Sequence, residues 1–312
     1  MIPTPAQVQA VVPRVRLHVP ETVVSHHPAL DALFGREVWL KHEHQTPAGA
    51  FKVRGGIVYL EELLNAHPDI NGVIAASTGN HGRSIAWSAR RLDIACTIVV
   101  PIGNPKHKNA AIRSLGARLI ESGQDFQSAL EHSRSVAESE GLHAVPSYHP
   151  WLVLGVATYA LELFQQVPNL AEVYVPIGLG SGASGVIAMR DAICPKVRVI
   201  GVVSAHAPAY ALSLASRKLI THPTSTRLAE GVACSTPHPD ALNLFLQRLD
   251  DIVEVTDEEV AAAQAHISSL TGLVVEGSGA LSVAALSKRP GDQRVAAILS
   301  GGNVPPTSAT AY

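Results

Sequence analysis

Short, nearly continuous apolar runs punctuate the chain. The clearest are GVIAAS (72–77), CTIVVP (96–101), EVYVPIG (172–178), VRVIGVV (197–203) and VAAILS (295–300). Between them apolar residues return every three or four positions, as in RSIAWSARRL (83–92), KNAAIRSLG (108–116) and DFQSALEHSRSVAESEG (125–141). A run that is apolar at every position predicts a strand covered on both faces. Recurrence near 3.6 residues predicts a helix with one buried side. Their alternation predicts an α/β fold of open, twisted, mostly parallel sheets with helices on both faces. Ligands in such folds sit beyond the carboxyl ends of strands, where turns lead into helices. There is no internal repeat, no low-complexity tract and no shift in composition that marks a linker.

Composition narrows the class. The 312 residues are 46% hydrophobic and 16% charged, enough to bury a large core in one or two domains. Twenty-four basic against 26 acidic residues leave a net charge of −2. No global positive field directs such a chain to nucleic acid or to an anionic membrane. No basic segment followed by an apolar run opens the sequence, so a secretory leader is not expected. The longest uncharged stretch, Val173 to Met189, contains Gly178, Gly180, Gly182 and Gly185 and reads as strand, turn and helix rather than a membrane span. Cys96, Cys194 and Cys234 are far apart and lack metal spacing, so reduced thiols in a cytoplasmic protein are expected.

Candidate chemistry gathers at the predicted strand ends. STGNHG (77–82) could hold an anion on its N–H groups and short polar side chains, or be an ordinary turn with Ser77 or Thr78 as the helix N-cap. GLGSGASG (178–185) could converge several amides on a phosphate, or mark tight helix–strand packing. It is not a P-loop, since no Gly-Lys-Ser/Thr follows. LSGGN (299–303) says little alone. In GAFKVRG (49–55), Lys52 lies between apolar Phe51 and Val53. Such a lysine is either a surface residue or a buried amine held for chemistry.

KHEHQTPAGAFKVRGG (41–56), STGNHG, GLGSG, EGSGA (276–280) and LSGGN, in that order, resemble pyridoxal-phosphate enzymes of fold type II, the tryptophan-synthase-β type. The likeness runs from about residue 15 to 305 and is nearest the serine/threonine dehydratase and serine racemase branch. It implies two domains. A large cofactor-binding domain would take residues 1–53 and 149–312, and a small one, 54–148, would carry the substrate-carboxylate loop. Lys52 resembles the lysine that binds pyridoxal 5'-phosphate covalently; desolvation by its neighbours would lower its pKa. Phe51 would pack near the cofactor ring. Gly178, Leu179, Gly180, Ser181 and Gly182 resemble the phosphate loop. Asn80 resembles the partner of the ring 3'-oxygen, and Ser300 the hydroxyl partner of the pyridine nitrogen. Glu276 resembles a glutamate of the cofactor pocket, although a lone acid there could equally mark a helix start. Ser77, Thr78, Gly79 and His81 would take the substrate carboxylate. Tyr148 and His149 would line the substrate side, unless SYHPW (147–151) is a plain interdomain hinge.

The resemblance implies an ammonia-lyase that converts threonine, serine or a bulkier β-hydroxy amino acid such as phenylserine to a 2-keto acid and ammonia. Lys52 would be the general base. A neutral Ser300, in place of an aspartate, favours prompt loss of a β-substituent over transamination. A homodimer is expected. A racemase or a β-replacement synthase shares the cofactor. A non-enzymatic binding protein using the glycine loops for another phosphate ligand is the different-class alternative.

Departures narrow this further. Ala50 stands where many relatives have serine. Thr78 stands where the racemase has a serine as its second base, and its β-branch disfavours racemisation. Val203 and Ala209 replace the two acids of metal-binding relatives, so no metal is expected. With the sequence ending near Tyr312, a regulatory domain of the biosynthetic type is not expected. His42 and His44 in KHEHQ would share a strand face, with Glu43 on the other, and two ligands are too few for a closed site.

Overall fold

The computed structural model describes residues 2–304. Ten strands are described: β1 Val24–His26, β2 Val38–Lys41, β3 Val73–Ala76, β4 Cys96–Val100, β5 Arg118–Glu121, β6 His143–Ala144, β7 Glu172–Pro176, β8 Arg198–Ser204, β9 Asp251–Val255 and β10 Val295–Ile298. The α-helices are α1 Pro5–His18, α2 Pro28–Phe34, α3 Lys52–Ala66, α4 Asn80–Arg91, α5 Lys106–Ser114, α6 Phe126–Glu140, α7 Pro150–Gln166, α8 Ser181–Ile193, α9 Ala209–Ser216, α10 Pro239–Arg248, α11 Asp257–Thr271 and α12 Gly277–Ala284. All five apolar runs contain strands, and the three amphipathic segments lie in α4, α5 and α6. The uncharged stretch from Val173 spans β7, a turn and most of α8. No described helix is long and apolar enough to cross a membrane.

The strands form two sheets, one of six strands in the order β1-β2-β10-β7-β8-β9 and one of four, β5-β4-β3-β6. Among the described strands only the β1–β2 pair is antiparallel. Successive strand residues point to opposite layers, which is why these strands read as unbroken apolar runs. Val173, Val175, Val199 and Val203 enter one core layer, with residues of α7 and α8. Tyr174, Ile200 and Val202 enter the other, with residues of α11 and α12. Each fully buried valine, leucine or isoleucine contributes roughly 1.5–3 kcal/mol. The four-stranded sheet lies wholly between residues 73 and 144, and the six-stranded sheet takes strands from both flanks.

Topology sets the position of the site. β10, the last strand, lies between β2 and β7 and runs parallel to both. The segments that leave these three strands therefore meet at one sheet edge. They are the stretch leading to Lys52, the 177–181 turn and the 299–303 turn. An isolated bridge joins Ala50 to Gly301, and the Phe51 N–H donates to the Ser300 carbonyl at 3.2 Å.

Two local expectations need correction. β2 ends at Lys41, and Glu43–Gln45 form a 3-10 turn, so strand alternation does not govern His42 and His44. Their rings tilt against each other at 5.2 Å. Neither Ser77 nor Thr78 occupies the N-cap position of α4. That residue is Gly79, although the Ser77 hydroxyl accepts the Gly82 N–H at 2.8 Å and so caps the first turn from one step further back.

Candidate active site

Lys52 is the first residue of α3, and the Ser84 hydroxyl of α4 holds its carbonyl at 2.7 Å. Its Nζ lies 5.0 Å from the centre of the Phe51 ring. Burial pushes the amine down to about 8, with Glu276 and Cys234 only partly offsetting it. Lys52 lines a narrow pocket that opens to solvent. Phe51, Asn80, residues 178–182 and Ser300 line it with Lys52. Pro176, Gly231, Val232 and Ser278 also contribute, of which Ser278 lies in EGSGA while Gly231 and Val232 lie in no quoted motif.

The glycine turn has two jobs. Gly180 has φ +104°, and a Cβ there would lie 2.9 Å from the Ala241 methyl group. A Cβ on Gly178 would come within 3.1 Å of the Gly231 carbonyl. Backbone conformation and packing thus demand glycine at 180, while at 178 a side chain would only be crowded. Gly182 is different, because its Cβ would make only ordinary contacts of 3.5 Å with Phe51 and Tyr159. The first turn of α8 has no side-chain cap, so its N–H groups remain available at the positive end of the helix dipole. Tyr210 fixes the turn by donating to the Leu179 carbonyl at 2.8 Å, and Tyr159 does the same to the Gly182 carbonyl at 3.1 Å.

Ser300 is buried, and its hydroxyl donates to the Ser278 carbonyl at 3.0 Å. Glu276 is the N-cap residue of α12, yet its side chain makes no capping bond. Its Oε1 instead accepts from Asn80 at 2.5 Å and from Ser278 at 2.6 Å. Glu276 thus stands at a helix start and behind the residues lining the Lys52 pocket, where it holds Asn80 and Ser278.

The residues proposed for the substrate carboxylate lie at the start of α4. Ser77 is buried, Gly79 is half-buried and Thr78 is exposed. Burial, with Lys52 adding to it, pushes His81 down to about 3, and its Nε2 is buried without a partner. Tyr148 is not among the residues lining the Lys52 pocket. Its hydroxyl shares a hydrogen bond with Ser184 at 3.1 Å, and its ring stacks on His238 at 4.4 Å. His149 is the N-cap residue of α7 and accepts the Trp151 N–H at 3.2 Å.

Glu43, read from sequence beside two histidines, belongs to a buried ion cluster. Arg54 contacts Glu43 at 2.8 Å and Glu162 at 2.8 Å, and Lys41 contacts Glu162 at 2.9 Å. Among the described residues no group of three or more histidines, cysteines, aspartates or glutamates could hold a metal ion. Nothing local in the sequence announced this cluster, because Glu162 is 108 residues from Arg54.

These residues fit pyridoxal phosphate. An uncapped helix N-terminus suits a dianionic phosphate, a desolvated amine suits a carbonyl, and a hydroxyl stands at the end of the strand between them. Comparisons with known proteins agree. The family profile for pyridoxal-phosphate dependent enzymes matches residues 15–301. The L-threonine ammonia-lyase of Geobacter sulfurreducens is 33% identical over 299 residues, covering 93% of this chain and 73% of that protein. The catabolic L-threonine dehydratase TdcB of Escherichia coli is 33% identical over 274 residues, covering 86% and 83%. The structure of maize serine racemase superposes with a TM-score of 0.93 at 28% identity, over 99% of this chain and 96% of that one. With a profile match across most of its length and relatives of this similarity, the chain belongs to the pyridoxal-phosphate dependent enzyme family, of the fold type II architecture.

Proposed function

We propose that the protein is a dehydratase that removes water and ammonia from a β-hydroxy amino acid, leaving a 2-keto acid. The observation that carries this reading is the desolvated Lys52 amine, facing a pocket whose strand-end partner is a hydroxyl, Ser300, rather than a carboxylate. Bound pyridoxal phosphate supplies an electron sink for the bond being broken at the substrate Cα. The protein's own residues do the rest. The 178–182 turn binds the phosphate. Ser77, Thr78, Gly79 and His81 orient the substrate carboxylate. Lys52 Nζ, once free, takes the Cα proton as general base. Ser300, uncharged, would set no carboxylate beside the pyridine nitrogen to hold it protonated, which favours departure of the β-hydroxyl.

The sequence relatives named as threonine lyases, at 33% identity, support threonine or serine as substrate, with a bulkier relative such as phenylserine as the variant to test. Thr78 in place of a small serine makes racemisation the weaker reading. Residues 54–148 would form the small domain, whose closure excludes water from the cleft. Homodimeric assembly and a cytoplasmic setting complete the proposal; three unpaired cysteines suit the latter. The test is an absorbance spectrum of the purified protein, then addition of L-threonine, L-serine and threo-phenylserine with keto-acid detection. Keto acid from one of them is expected. A cofactor band without keto acid from any would favour the racemase or synthase, and inverted enantiomer or thioether product would tell those apart.

A further inference from the structure

Asn303 closes the LSGGN segment, and the reaction outlined above gives it no task. Its Nδ2 donates to the Asn80 Oδ1 at 2.7 Å and to the Ala48 carbonyl at 3.1 Å. From the turn after β10 it therefore ties together two other parts of the site, the segment leading to Lys52 and the first residue of α4. A Cβ on Gly49 would lie 2.1 Å from the Asn303 Oδ1, and Gly49 has φ +73°, so glycine is required there on two counts. The Gly302 N–H donates to the Gly49 carbonyl at 2.9 Å and braces the same contact.

The polarity of this chain of bonds is fixed. A backbone carbonyl can only accept, so Ala48 must face the nitrogen of the Asn303 amide. That same nitrogen faces Asn80, which must then present its oxygen. The Asn80 nitrogen is left facing Glu276, at 2.5 Å. A flipped Asn80 would set nitrogen against nitrogen at Asn303 and oxygen against oxygen at Glu276. With one N–H given to Glu276, the other N–H of Asn80 remains uncommitted, on a residue that lines the Lys52 pocket.

We infer that Asn303 is a positioning residue. It locks the Asn80 amide so that its free N–H serves the cofactor, and it ties that orientation to the segment carrying Lys52. The inference rests on the pyridoxal-phosphate reading of the site. The test compares apoproteins of the wild type, Asn303→Ala, Asn80→Ala, the double variant and Asn303→Ser. The readouts are the dissociation constant for pyridoxal phosphate, the absorbance maximum of the bound form and the melting temperature of the apoprotein. Asn303→Ala is expected to weaken cofactor binding about tenfold, the scale of one well-placed hydrogen bond, and to shift the maximum as Asn80→Ala does. The double variant should bind no more weakly than Asn80→Ala alone. Asn303→Ser, which keeps a shorter donor, should fall between Asn303→Ala and the wild type, and it carries the test if the alanine variant does not fold. Unchanged affinity, or losses that add in full, would overturn the inference and leave Asn303 a loop brace. A wild-type apoprotein that takes up no pyridoxal phosphate would overturn the reading of the whole site, and this would be seen before any variant is compared.

Discussion

Replacing Glu162 by glutamine should destabilise this protein more than most single substitutions do. Glu162 accepts from Arg54 through both oxygens, at 2.8 Å each, and from Lys41 at 2.9 Å. The side chains of Lys41, Glu43, Arg54 and Glu162 are no more than 1% exposed. Two positive and two negative charges cancel in a buried cluster. Glutamine keeps the shape but leaves one uncompensated positive charge, and it turns one oxygen into a donor that faces other donors. Breaking a buried pair in this way costs about 3–5 kcal/mol. A urea titration followed by intrinsic fluorescence should show the midpoint falling with little change in slope. Adding Lys41→Met restores neutrality, so the double variant should regain part of the loss. Burial alone would raise the Glu162 carboxyl, but Arg54 and Lys41 together hold it below the usual carboxylate range. Its contribution is therefore complete above the unfolded pKa, near 4.3, and is lost as pH falls through the folded value. The variant should lack that acid limb. A loss under about 1 kcal/mol for Glu162→Gln would refute the reasoning, since that is the scale of an exposed pair. Arg54 follows Lys52 by two residues in α3, so the variant should also hold its cofactor less tightly.

Three further outcomes are expected. Lys52, lowered by burial to about 8, should make the rate of cofactor capture by the apoprotein rise with pH to half its maximum near pH 8. Because its folded pKa lies below the unfolded value, near 10.4, the stability of the apoprotein should also gain between those pH values. Capture insensitive to pH from 7 to 9 would contradict the desolvated amine. Gly180→Ala forces a Cβ onto φ +104° and against Ala241, and should cost roughly 1–3 kcal/mol in urea as well as weakening cofactor binding; a neutral result would mean the turn is free to relax. Ser300→Asp puts a carboxylate where the pyridine nitrogen is expected and should lower keto-acid release while the cofactor still binds. Undiminished turnover would remove Ser300 from the chemistry.

Several features needed nothing beyond the order of the residues. Unbroken apolar runs between amphipathic segments are what a sheet covered on both faces requires, so the α/β class was legible. Lys52 stands in a short motif of its own, Asn80, the 178–182 turn and Ser300 stand in motifs at strand ends, and all line one pocket in the structure. Those motifs are local, and their backbone demands can be read over a few residues. The rest depended on contacts between distant segments. β10 enters the sheet between β2 and β7, and that insertion is what brings the 299–303 turn beside Lys52. Gly231 and Val232 reach the pocket from a stretch with no periodicity to mark it. The contacts of Tyr148 with Ser184 and His238, 36 and 90 residues away, likewise come from packing. Glu43 looked like a companion of two histidines until Arg54 and Glu162 closed around it. A side chain's partner is set by which elements pack together, and a hydrogen bond or ion pair spanning a hundred residues leaves no periodic trace in the sequence.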